Sequence, residues 1–82
     1  MIRFIRIAER DYNLTRICSV DIEDNGFGTL CTVEYDGVDG VHSMSIPIKG
    51  TVQENRDRFE NSLRFFSRWP DSAFVDTGME RR

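Results

Sequence analysis

The sequence predicts an α+β domain, a four-stranded antiparallel β-meander followed by one C-terminal helix packed on one face of the sheet. Three observations carry this. Residues 14–23 alternate apolar and polar side chains with period two, the mark of a half-buried strand. Asn25-Gly26 follows at once, and Asn-Gly is the strongest short signal for a hairpin turn. After Gly50 the period changes, and Val52, Phe59, Leu63 and Phe66 recur at helical spacing.

Each element can be placed in order. Ile2-Arg3-Phe4-Ile5-Arg6-Ile7 reads as a first strand, roughly 2–8, with Ile at both even and odd positions and Asp11-Tyr12-Asn13 as the turn after it. The second strand, 14–23, turns Leu14, Cys18, Val20 and Ile22 inward and Thr15, Ser19, Asp21 and Glu23 outward. With a two-residue Asn25-Gly26 loop, Val20 falls opposite Cys31 and Cys18 opposite Val33 on an apolar inner face. The third strand is 29–35, with Cys31, Val33 and Tyr35 inward. The fourth is 41–48, with Met44, Ile46 and Ile48 inward and Pro47 pointing to an edge or a strand end. Thr51-Val52-Gln53-Glu54 is a capping box, so a helix is expected from 52 to 69, stopped by Pro70. The tail, 71–82, is expected to be partly frayed, with Ala73-Phe74-Val75 docking back.

Eighty-two residues fit a single domain, 1–82. No apolar run approaches the roughly 20 residues of a membrane helix, and Met1–Arg10 lacks a signal-peptide core. A cytoplasmic location is expected. Cys18 and Cys31 are too few for a disulfide framework and read as reduced, buried small hydrophobes.

Charge is the most informative functional feature. Between Ile17 and Ile48 lie Asp21, Glu23, Asp24, Glu34, Asp36 and Asp39, with no Lys or Arg. All eleven basic residues lie outside that stretch, although the net charge is only -3. A block of one sign creates a field that attracts a basic partner and speeds encounter. These six carboxylates are the candidate partner-binding residues.

Catalytic chemistry has no comparable signal. His42 is the lone histidine, without cysteine or carboxylate neighbours at ligand spacing. Gly26-Phe27-Gly28 resembles a fragment of a phosphate loop but sits in a hairpin rather than before a helix. No catalytic, cofactor or metal residue is assigned, and the chain is expected not to be an enzyme. Arg56, Arg58, Arg64 and Arg68 on the helix are interspersed with Glu54, Asp57 and Glu60, which reads as a solvated face.

Arg3-Phe4-Ile5-Arg6, Asn13-Leu14, the acidic strand ending in Asn25-Gly26, and Val33-Glu34 are similar to a small type I anti-CRISPR family of phages and mobile elements. The similarity covers about the first half of the chain. It implies a small non-enzymatic inhibitor that binds the crRNA-guided effector complex in a host bacterial cytoplasm. That family carries tyrosines on its binding face; the matching positions here are Ile7 and Asp21, and Glu34 is the residue that carries over. The expectation is an acidic sheet face that blocks a basic nucleic-acid-binding surface of a Cas subunit, with no direct contact to nucleic acid. Two alternatives stand beside it, a structural or assembly subunit that oligomerises through its sheet, and an Arg-dependent nucleic-acid-binding module that uses the helix.

Overall fold

The computed structural model describes all 82 residues. The fold is α+β, as expected, but its strands form two small sheets rather than one meander. The elements are β1 (Phe4–Ile7), β2 (Arg10–Asn13), a 3₁₀ turn (Leu14–Arg16), β3 (Ile17–Asp24), β4 (Thr29–Gly37), β5 (Gly40–Ile48), α1 (Val52–Arg68) and β6 (Phe74–Asp76). One sheet has the order β2-β1-β6, with β6 parallel to β1, and the other is the antiparallel β3-β4-β5.

The difference begins at Ala8 and Glu9. Both adopt positive φ (50° and 71°), and Ile7 pairs with Arg10, so these two residues form a two-residue hairpin turn. Positive φ at both positions normally calls for Asn or Gly. Here tertiary contact holds the turn: Ala8 is buried and its amide donates to the Met79 carbonyl (3.2 Å). The expected turn at Asp11-Tyr12-Asn13 is therefore strand β2, and the first strand is shorter than 2–8. Alternation on β1 sends Ile5 and Ile7 into the core and leaves Phe4 and Arg6 outside. Arg6 lies over the Phe74 ring (5.1 Å) and binds Asp11 (2.8 Å). That hydrogen bond holds the Asp11 carboxyl below its ordinary value.

Asn13 ends β2 and caps the 3₁₀ turn, its Oδ1 accepting from the Thr15 amide (3.1 Å) and hydroxyl (2.8 Å). In the β3–β4 hairpin the loop is Asn25–Gly28, closed by the Asn25 amide on the Gly28 carbonyl (3.0 Å), so Val20 pairs with Val33 and Ile22 with Cys31. The register is offset by two residues from a two-residue Asn-Gly loop. An even offset preserves which side chains face inward, and Ile22, Cys31, Val33, Ile46 and Ile48 are buried. Cys18 is the exception. The ladder shifts between Ile17 and Ser19, and the displaced Cys18 is exposed, not buried.

The inner face of β3-β4-β5 is filled by the other sheet. Ile5, Ile7 and Tyr12 join Ile22, Cys31, Val33, Ile46 and Ile48 in one cluster, closed by Met79. Each such aliphatic side chain contributes about 1.5–3 kcal/mol by leaving water. Helix α1 consequently does not lie across the sheet. It runs beside β3 and β6, contributing Val52 and Phe59 to the cluster edge and burying Phe66 beneath the Arg3 guanidinium (5.4 Å). The Thr51 hydroxyl caps it through the Glu54 amide (3.1 Å), and Trp69 closes it through the Phe65 carbonyl (2.8 Å).

The tail is built in rather than frayed. Thr77 donates to the Arg6 carbonyl through its hydroxyl (2.7 Å), Arg81 faces Ile48, and Arg82 Nη1 donates to the Phe27 carbonyl (2.7 Å). No helix is long and apolar enough to cross a membrane.

Candidate partner-binding face

The outer face of β3-β4-β5 is covered by nothing. Strand alternation and register assign its side chains row by row. Glu23, Leu30 and Pro47 form one row, Asp21, Thr32 and Ser45 the next, Ser19, Glu34 and Ser43 the third, and Asp36 with Val41 the last. Carboxylates two apart on one strand, such as Asp21 and Glu23 or Glu34 and Asp36, stand roughly 6.6–6.8 Å apart along it. The remaining positions are mostly hydroxyls, which organise the face: Ser19 Oγ donates to Glu34 Oε2 (3.0 Å), and the Thr32 and Ser45 hydroxyls share a hydrogen bond (2.9 Å).

This face contains no Lys or Arg, and none of Asp21, Glu23, Glu34 and Asp36 lies in an ion pair. All four are exposed. Arg56, which reaches the β3 edge from α1, donates to the Ile22 carbonyl (3.1 Å). A cleft of about 270 Å³ lies between α1 and β3, lined by Asp21, Glu23 and Glu60 together with Arg56.

The other two candidate carboxylates are elsewhere. Asp24 sits at the end of β3, where its Oδ1 accepts the Gly26 amide (2.7 Å) and shapes the loop. Asp39 lies in the β4–β5 turn and bonds His42 Nε2 (2.6 Å), which holds the Asp39 carboxyl below its ordinary value. The structure thus gathers Asp21, Glu23, Glu34 and Asp36 and assigns Asp24 and Asp39 to turns.

Inside the opposite surface of the same sheet is a cluster that sequence reasoning missed. Tyr35 packs edge-on to Tyr12 (5.6 Å) and stacks on His42 (5.5 Å), while Arg10 lies over both tyrosine rings and donates to Tyr35 Oη (3.3 Å). Burial pushes the Tyr12 phenol above its ordinary value. These residues come from three strands of two sheets, so no local pattern announces them. Ser43 follows His42 on an extended strand and therefore points to the other face. No group of three His, Cys, Asp or Glu is placed to hold a metal ion.

No family model, curated protein or solved structure matches this chain.

Proposed function

We infer that this chain is a small protein-binding inhibitor whose acidic sheet face occupies a basic, nucleic-acid-binding surface of a partner protein. One observation carries the inference: Asp21, Glu23, Glu34 and Asp36 share a sheet face on which none of them is ion-paired and no strand residue is basic, while Arg56, bordering it from α1, is spent on the Ile22 carbonyl. Folding has no use for such an arrangement. Unpaired like charges on a sheet face repel and lower stability. A groove built to hold phosphates supplies the cations that this face lacks, and bound hydroxyl rows add directional hydrogen bonds.

The resemblance to type I anti-CRISPR proteins makes the crRNA-guided effector complex the first partner to test. Reversing charge with Asp21→Lys, Glu23→Lys and Glu34→Lys together is expected to abolish inhibition of target binding, and wild-type binding is expected to weaken as salt rises. Inhibition by the triple variant at the wild-type level would remove the acidic face from the mechanism. The alternative of self-assembly through the sheet is favoured by a separate observation, the state of the β5 edge.

A further inference from the structure

The two edges of the β3-β4-β5 sheet are treated differently. At β3 the ladder is broken at Cys18, α1 lies alongside, and Arg56 occupies the Ile22 carbonyl. At β5 only the Pro47–Lys49 end is engaged: the Lys49 amide donates to the Glu80 carbonyl (2.9 Å), and the Pro47 carbonyl accepts the Arg82 amide (2.9 Å). The outward direction of the Pro47 carbonyl determines the rest, because hydrogen-bonding groups alternate along a strand. Val41, Ser43 and Ser45 also direct their amides and carbonyls away from β4, and no backbone bond outside the ladder takes them. Natural edges are protected by Lys, Pro, bulges or covering segments. From Val41 to Ser45 there is no Lys, Arg, Asp, Glu or Pro, and the pairing with β4 is unbroken.

We propose that this edge is the interface between two copies of the chain, which pair β5 to β5, antiparallel, about a two-fold axis at Ser43. Ser43 then faces its own counterpart, Val41 faces Ser45 of the second copy, and His42 faces Met44. About six backbone hydrogen bonds close the seam, two for each outward-directed pair. No like charges meet across it. A register centred on Ser45 would send Ser43 of the second copy to the Pro47 carbonyl, which Arg82 holds. One centred on Val41 would bring the tight β4–β5 turn into the ladder and leave Ser45 unpaired.

Charge complementarity supports the same register. It carries the β4–β5 turn of one copy, with Asp39, past Ser45 to Ile46 of the other. A groove of about 500 Å³ lies there, bordered by Arg10 and Arg81, with Met44 and Ile46 as its floor and Glu9 as its one carboxylate. Asp39 bonds His42 on the inward side of β5, the side on which Arg10 reaches Met44 Sδ (3.1 Å). An acidic turn thus enters a groove with two arginines. The product is a continuous six-stranded sheet. This assembly does not rest on the acidic-face inhibitor reading.

Sedimentation equilibrium of the full chain, up to about 1 mM, where weak pairs associate, tests it. The expected result is a rise from one chain mass to two. Ser43→Lys and Ser43→Asp alter an exposed, outward side chain and leave the β4 ladder intact; each is expected to weaken association at least tenfold, and an equimolar mixture to restore it, since Lys then faces Asp. In a Cys18→Ser background, Val41→Cys and Ser45→Cys chains are expected to cross-link to each other on oxidation. A wild-type chain that keeps one chain mass throughout overturns the proposal, and so does undiminished association of both Ser43 variants with no cross-link between positions 41 and 45.

Discussion

Asn55 offers a sharp test of how the helix is fastened to the sheets. Its side chain is fully buried (0% exposed), and its Nδ2 donates to the Lys49 carbonyl (2.9 Å) and the Thr51 carbonyl (2.8 Å). These bonds tie the end of β5 to the first turn of α1. Thr51 also receives the Asn55 backbone amide (3.2 Å), so only the Lys49 carbonyl depends on the side chain alone. The Asn55 Oδ1 is buried without a protein partner. Asn55→Ala therefore removes two hydrogen bonds, each worth about 0.5–1.5 kcal/mol net, and also removes an unsatisfied acceptor whose burial costs about 1–3 kcal/mol. These two effects roughly cancel, and the Lys49 carbonyl, left without its donor, accounts for an expected net loss of about 1 kcal/mol. Asn55→Asp is nearly isosteric but replaces the donor with a carboxylate facing two carbonyl oxygens out of water. A loss of about 3–5 kcal/mol at pH 7 is expected, the range for an uncompensated buried charge. Burial and the two carbonyls raise that carboxyl above its unfolded value, so the folded variant takes up a proton that the unfolded chain does not. Its stability should rise as pH falls from 7 towards 5, by up to about 1.4 kcal/mol per unit relative to wild type. Urea unfolding followed by far-ultraviolet circular dichroism at both pH values measures this. An Asp variant as stable as the Ala variant at pH 7, with no pH dependence of its own, would show that the Asn55 side chain does not hold the Lys49 carbonyl in a site closed to water.

Other expectations follow from single features. Glu9 is exposed at φ 71°, a conformation costing a non-Gly residue about 1–2 kcal/mol, so Glu9→Gly is expected to raise stability by up to about 1 kcal/mol in thermal unfolding despite the added unfolded-state entropy. Native protein should present one reactive thiol, Cys18, and a second only in denaturant, because Cys31 is fully buried and its thiol is pushed up to about 11. By the same shift the unfolded chain ionises Cys31 first, so stability should fall as pH rises from about 9 to about 11; a Cys31→Ala variant should lose that part of the alkaline slope. Arg3 bonds the Pro70 carbonyl (2.7 Å) and covers the Phe66 ring, so Arg3→Ala should cost about 1–2 kcal/mol in urea unfolding.

Period-two alternation located β4, β5 and most of β3 and sorted their inner faces apart from Cys18, because a sheet covered on one side must segregate apolar residues; it could not show that 14–16 form a 3₁₀ turn, so that the strand expected from 14 begins at Ile17, or that a bulge turns Cys18 out. The helix was legible in its bounds, Thr51 and Pro70, and in Val52, Phe59 and Phe66, but its buried face turns on through Asn55 and Ser62 and leaves Leu63, expected on the stripe, exposed. The second sheet was hidden. Its hairpin turns on Ala8 and Glu9, which carry no turn preference and are held by Met79 from the far end of the chain. With that hairpin unseen, nothing but α1 remained to cover the inner face, and the tail looked free. The hairpin loop at Asn25–Gly28 shows the limit of a dipeptide signal, since Asp24 and Asn25 side chains cap a longer turn. Among the acidic residues, alternation separated Asp21, Glu23 and Glu34 as outward-facing. Placing Asp36 beside them and Asp24 and Asp39 in turns required the actual register and loop lengths.

The role proposed for the acidic face is to displace nucleic acid from a basic surface of a partner. The most direct measurement is competition: purified type I effector complexes are held with labelled target DNA, and the chain is titrated in at two salt concentrations, beside the Asp21→Lys, Glu23→Lys, Glu34→Lys variant. Stoichiometric displacement of DNA by wild type, weaker at the higher salt and absent for the variant, is the predicted result. Displacement by the variant as strong as by wild type, or none by wild type from any complex tested, would contradict the claim.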